Sequence, residues 1–174
     1  MSHRIYLTDE RDLSFNFESD IPEDANIAEI FGELTRRLEA KFDINKGVLV
    51  LRNLQENSFL AISTWNNGEF LDGLSISLPT EPSLFEQVAA DGHVFSDSYG
   101  GIFSGNFFEK KLLLNHRTKS YLLHPLKHEG QVVGMICYSS EEDLAFSVFE
   151  EGILDSVASR FAKIINDKRV KNNF

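Results

Sequence analysis

Residues Lys119 to Ser140 read K-S-Y-L-L-H-P-L-K-H-E-G-Q-V-V-G-M-I-C-Y-S-S, two runs rich in branched and aromatic residues on either side of the polar turn Lys127-His128-Glu129-Gly130. That is the pattern of an antiparallel hairpin. A strand with one face in water alternates, but both of these runs are apolar at nearly every position, so each face must be covered by further structure. The hairpin therefore belongs at the centre of a sheet, and the rest of the chain has to supply two layers. Alternation puts Leu122, His124, Leu126, Val132, Gly134, Ile136 and Tyr138 on one face and Tyr121, Leu123, Val133, Met135, Cys137 and Ser139 on the other. The first set is aliphatic, with a glycine that lets another backbone come close, and is assigned to helix packing. The second mixes a hydroxyl, a thiol and a thioether, which suits the lining of a small-molecule cavity.

The flanking sequence supplies the layers. From about Asp24 to Phe42, Ile27, Ile30, Phe31, Leu34, Leu38 and Phe42 recur at three- and four-residue spacing, an amphipathic helix with acidic residues at its start. Strands follow at Gly47 to Asn53 and Phe59 to Trp65, then the turn Asn66-Asn67-Gly68 and a strand near Leu74 to Leu78. After Pro79-Thr80-Glu81-Pro82, Ser83 and Glu86 have capping-box spacing for a short helix running to about Asp91 and closed by Gly92. Gly100 to Arg117 reads as a loop with a helical turn. Ser147 and Glu150 form a second capping box opening the longest helix, whose stripe is Phe149, Ile153, Leu154, Val157, Ala158, Phe161, Ile164 and Ile165. Near the N-terminus, Ile5 to Leu7 and Leu13 to Phe17 either pair as a short hairpin or lie on the surface.

At 174 residues, 42% of them apolar and 15 of them phenylalanine, the chain has the material for one domain with an aromatic interior. A formal charge of −10 argues against a nucleic-acid partner, which needs clustered Lys and Arg. A single cysteine makes no internal disulfide, and neither a signal peptide nor a bilayer-length apolar run is visible. The expectation is a soluble, cytoplasmic protein that binds no membrane.

Few residues carry a chemical signature. Gly100-Gly101-Ile102-Phe103-Ser104-Gly105 has phosphate-loop glycines, but Asn106 follows instead of Lys and no Ser or Thr comes after, so it reads as an ordinary loop. His93, His116, His124 and His128 lack two-ligand spacing on one element, and no metal or other cofactor is expected. No Gly-x-Ser-x-Gly elbow is present, and the carboxylates at Glu141-Glu142-Asp143 and Glu150-Glu151 suit helix starts. Cys137 beside Met135 is either a cavity residue or a buried, inert thiol. Trp65, Phe85, Phe95, Tyr99, Phe107, Phe108 and Tyr121 either surround a ligand or fill the core.

Taken in order, Ser83-Leu84-Phe85-Glu86-Gln87-Val88-Ala89-Ala90-Asp91-Gly92-His93-Val94-Phe95-Ser96-Asp97, then Ser120-Tyr121-Leu122-Leu123-His124-Pro125-Leu126 with Gly130 and Gly134-Met135-Ile136, and a closing amphipathic helix, resemble a GAF domain. The resemblance covers roughly Ala25 to Asp167 and divides the chain into an extension (1–24), the GAF-like domain (25–167) and a polar tail (168–174). It implies an α+β fold: a central antiparallel sheet of five or six strands, N- and C-terminal helices on one face, and short helices and loops over a cavity on the other. It also implies a regulatory role, a small-molecule ligand, a homodimer formed through the terminal helices and a protein effector. The residues expected at the ligand are Trp65, Phe85, Phe95, Asp97, Tyr99, Phe107, Tyr121, Leu123, Met135, Cys137 and Ser139, with Asp97 and Ser139 as polar anchors. The family's cyclic-nucleotide signature is only echoed by Asn106-Phe107-Phe108-Glu109-Lys110, Cys137 is not placed for bilin attachment, and the family's free methionine sulfoxide reductases use several cysteines. The chain is therefore expected not to be an enzyme. The alternatives are a dimerisation module whose pocket is filled by side chains and, behind it, a thiol-dependent reductase.

Overall fold

The computed structural model describes residue 21 and residues 24–53, 55–56 and 58–172, the side chains of 170–172 excepted; Ile5 to Leu7 and Leu13 to Phe17, read as either a short hairpin or a surface segment, lie outside these residues. Helix α1 (Ile27–Glu39) starts at a capping box, in which Asn26 Oδ1 accepts from Glu29 N–H and Glu29 Oε1 accepts from Asn26 N–H, both at 2.8 Å. Strands β1 (Lys46–Asn53), β2 (Ser58–Asn66), β3 (Glu69–Leu71) and β4 (Ile76–Leu78) follow, then α2 (Leu84–Asp91), β5 (Phe95–Ser98), α3 (Phe107–Leu113), β6 (Ser120–His128), β7 (Gln131–Ser140) and α4 (Asp155–Asn172).

Among the described residues, the strands form one antiparallel sheet in the order β3-β2-β1-β7-β6-β5, with β4 pairing the far end of β2. The β6–β7 hairpin is central, and both its strands are buried along most of their length. Its turn narrows to Glu129-Gly130, both at positive φ (52° and 79°), the arrangement whose twist matches a two-residue hairpin. Gly134 is forced by a close approach: a Cβ there would lie 2.7 Å from the carbonyl oxygen of Val50 on β1.

Two β-bulges reverse the side-chain alternation. The β6–β7 register passes from Leu126↔Gly134 to Lys127↔Val132, so Val133 is the extra residue. As a result Val133 packs with the helix layer and Val132 with the opposite face, the reverse of what strict alternation predicts. The β1–β2 register makes the same slip at Ile62, passing from Leu49↔Ser63 to Val50↔Ala61.

Helices α1 and α4 cover one face, where Phe31, Leu34, Leu38, Phe161 and Ile165 meet Leu49, Leu122, Ile136 and Tyr138. The Tyr138 ring stacks on Phe31, with centroids 6.0 Å apart, and its hydroxyl is 2.7 Å from Thr35 Oγ1, so the tyrosine is packed and hydrogen-bonded at once. The expected Ser147–Glu150 capping box does not form. Ser147–Glu151 is a 3-10 turn without a side-chain cap, ended by Gly152 at φ 92°, and α4 begins only at Asp155. Glu150 is instead held by the Ser96 hydroxyl from β5, a tertiary partner that outcompetes the local one. No described helix is long and apolar enough to cross a membrane.

Candidate functional site

Short helices α2 and α3 roof the other face of the sheet. Ser83 caps α2 by accepting from Glu86 N–H at 2.9 Å, and Gly92 ends it at φ 76°. The rest of the α2 start is held from a distance. Glu109, in the first turn of α3, is fully buried, and its carboxylate accepts from Leu84 N–H (2.9 Å), Phe85 N–H (3.2 Å), Asn106 N–H (3.0 Å) and the Ser83 hydroxyl. One buried charge thus meets the open N–H groups of two helix starts, where the helix dipoles also favour an anion. Asn106 completes the knot: Oδ1 accepts from Glu109 N–H at 2.9 Å, and Nδ2 donates to the carbonyls of Pro79 and Pro82. Gly105 makes room for it, since a Cβ there would collide with Glu109 Oε1 and the Phe103 ring.

The other end of α3 is tied to the sheet. Ser139 Oγ donates to Leu113 O at 2.5 Å, and Lys46 Nζ donates to Lys111 O at 2.9 Å, each satisfying a carbonyl that the helix end leaves open. Burial, reinforced by the Lys111 charge, lowers the Lys46 pKa.

Between roof and sheet, Phe85, Tyr121, Leu123, Met135, Cys137 and Ser139 come together, and they are packed solid. Tyr121 carries the rings of Phe95 (6.1 Å) and Phe103 (5.4 Å, edge-on). Burial, with Asp97 adding to it, pushes its hydroxyl up to about 12. Burial also drives the Cys137 thiol well above its ordinary pKa, and the Glu109 charge adds to it, so the reactive thiolate is disfavoured. Ser139, expected to anchor a ligand, is engaged by α3. Asp97 pairs with Tyr121 across β5 and β6 but is exposed, and its carboxylate accepts from the N–H of Ser98.

Trp65 does not join this group. The Ile62 bulge brings it onto the helix face with α1, where its Nε1 donates to Glu39 at 3.3 Å. Phe107 lies outside the packed interior and is 66% exposed. With Tyr99, Lys110, Lys111, Leu114 and His116 it forms an open groove of about 380 Å³ on the outer side of α3. Lys110 Nζ lies 5.8 Å from the centre of the Tyr99 ring, a cation over an aromatic face. Sequence reading missed Glu109, Phe103 and the lysines of this groove. The Asn106-x-x-Glu109 spacing was a capping-box signal in plain view, but nothing local shows that the glutamate also reaches α2. No three His, Cys, Asp or Glu among the described residues are grouped to hold a metal ion.

This arrangement, an antiparallel sheet between a two-helix layer and a short-helix roof, is also what comparison with known proteins returns. The family model of the GAF domain matches residues 26–165. The chain belongs to the GAF domain family. Solved GAF folds align over most of it. The GAF domain of a two-component sensor histidine kinase from Bacillus halodurans is 16% identical, with a TM-score of 0.68, covering 84% of this chain and 98% of that one. The GAF domain of a phosphoenolpyruvate-protein phosphotransferase from Coxiella burnetii is 15% identical at a TM-score of 0.71, covering 97% and 96%. A type II free methionine-R-sulfoxide reductase from Thermoplasma acidophilum shares the fold at 13% identity and a TM-score of 0.59, covering 82% and 96%. At these identities the likeness is one of fold alone. No curated protein matches the chain in sequence. GAF membership supports a regulatory or sensor domain in general.

Proposed function

We propose that this GAF domain is a non-catalytic cytoplasmic sensor that takes a small amphipathic anion, such as an aromatic carboxylate, in the groove outside α3. It dimerises through α1 and α4 and passes occupancy to a protein effector. The observation that carries this reading is a cationic and aromatic groove on a chain of net charge −10. Tyr99 and Phe107 offer faces for a ring, and Lys110, Lys111 and His116 offer donors for a carboxylate. Because Lys46 and Ser139 tie the end of α3 to the sheet, a ligand there bears on contacts that reach β1 and β7. The absence of catalysis is supported by the one cysteine of the chain being fully buried, with its thiol pKa raised.

Calorimetry and thermal shift with 4-hydroxyphenylacetate test the reading. The acid is expected to bind saturably and raise the melting temperature, Lys110→Met to weaken it, and neutral 4-ethylphenol to do little. Equal stabilisation by both compounds, or undiminished binding by Lys110→Met, overturns it.

A second reading, a module acting by association alone, is favoured by the side chains that fill the interior and by the exposed rings of Phe107 and Phe108. It expects no stabilisation by any carboxylate and a dimer that Phe107→Ser dissociates.

A further inference from the structure

On the face opposite the roof, a cleft of about 450 Å³ opens between β6, the connection from α2 to β5, and the turn leading into α4. Its floor is His124, 2% exposed. The ring Nδ1 lies 3.1 Å from the carbonyl oxygen of Pro125, which can only accept, so Nδ1 carries the hydrogen and Nε2 presents a lone pair. Nε2 is buried without a hydrogen-bond partner, and the Asp155 carboxylate, with Oδ1 3.8 Å away, stands beyond hydrogen-bond reach. A buried acceptor left unmade carries a desolvation cost that a donor would relieve.

The surroundings say what kind of donor. Asp155 opens α4 with its side chain 67% exposed, and the left-handed Gly152 brings it in so closely that a Cβ at 152 would lie 3.0 Å from its carboxylate. Glu150 adds a second carboxylate, against which Lys127 is the lysine of the lining. Phe149, Val94 and Ala158 give an apolar wall beside these acceptors. The imidazole stays neutral chiefly because burial lowers its pKa, with Lys127 in the same direction and the Pro125 bond and Asp155 opposing.

We propose that this cleft binds a small alkylammonium ion, whose N–H groups are shared between the lone pair of His124 Nε2 and the Asp155 carboxylate while its alkyl stem lies along the Phe149 wall. The site is separate from the groove outside α3, takes the opposite charge, and joins the sheet directly to the first turn of α4.

The probe is n-butylammonium, added to the whole chain and followed by calorimetry and by the 15N resonance of His124 Nε2. One ion is expected to bind per chain and to move that resonance from an unbonded toward a hydrogen-bonded position. Asp155→Asn, at an exposed position, should weaken binding about tenfold or more while leaving a cooperative melting transition. His124→Leu should abolish it. Tetramethylammonium, which has the charge without N–H groups, and 1-butanol, which has the stem without the charge, should not bind. The proposal is overturned if butylammonium gives neither heat nor a shifted resonance, if tetramethylammonium binds as well, or if Asp155→Asn binds unchanged. None of these outcomes bears on the aromatic carboxylate.

Discussion

The two faces of the sheet are covered by different physics. On one, α1 and α4 span 13 and 18 residues and lay continuous apolar stripes on the strands. On the other, α2 and α3 have only eight and seven residues, too short to be stable helices by themselves. They bury a few apolar side chains, Leu84, Phe85, Val88 and Leu113 among them, but their ends are held by single polar atoms: Glu109 and Asn106 at the starts, Ser139 and Lys46 at the end of α3. Area-based packing tolerates small displacements poorly but needs no particular atom, whereas a carboxylate that satisfies four donors can be undone by one substitution. The helix layer is therefore the scaffold, and the roof is the part that can be released locally.

That contrast can be broken most directly on the scaffold side. Phe31→Ala removes a fully buried ring from beneath Tyr138 and should cost about 4 kcal/mol, with one cooperative urea transition moved as a whole. If hydrogen exchange instead shows only α1 opening while α4 stays protected, the helix layer is not the unit described here.

Glu109→Gln comes next. It keeps the shape but turns an amide donor toward a cluster of donors, and should cost roughly 3 kcal/mol. The informative readout is where protection is lost. Amides from Ser83 to Leu114 should exchange faster while β1 and β7 hold, and uniform loss across the chain would erase the distinction between the faces.

The smallest effect sharpens the comparison through pH. His124 has a lowered pKa in the folded state, so the unfolded chain takes up a proton first on acidification. The stability gained from keeping the ring neutral is complete above the ordinary imidazole range and is lost as pH falls from there toward the lowered value. His124→Leu should therefore lose less stability than the parent between neutral and mildly acidic pH in paired urea titrations. A parallel decline would show that His124 is not the group responsible.

The hairpin, both helix stripes and the turns at Asn67-Gly68 and Glu129-Gly130 were legible in the sequence because each depends on neighbours a few residues away. What was not legible depended on partners far along the chain. Alternation could not place Val132, Val133 or Trp65, because a bulge is a property of two strands in register and leaves no mark on either alone. Ser147 and Glu150 had the right spacing for a cap, yet Ser96 took Glu150 and Gly152 broke the helix start. The gathering of Phe85, Tyr121, Met135 and Cys137 on one face was foreseen. That they would fill the space themselves, leaving the open groove to Phe107 and its lysines, depended on Phe103 and on how α3 is pinned.

Ser139 ends its reach on the last turn of α3, while the next residue back, Tyr138, ends its reach on Thr35 of α1. Roof and scaffold are thus fastened to consecutive residues of one strand. Pulling α3 away frees a hydroxyl one peptide bond from the α1 anchor, so this pair of residues links the two sides of the molecule by hydrogen bonds from adjacent positions of the backbone.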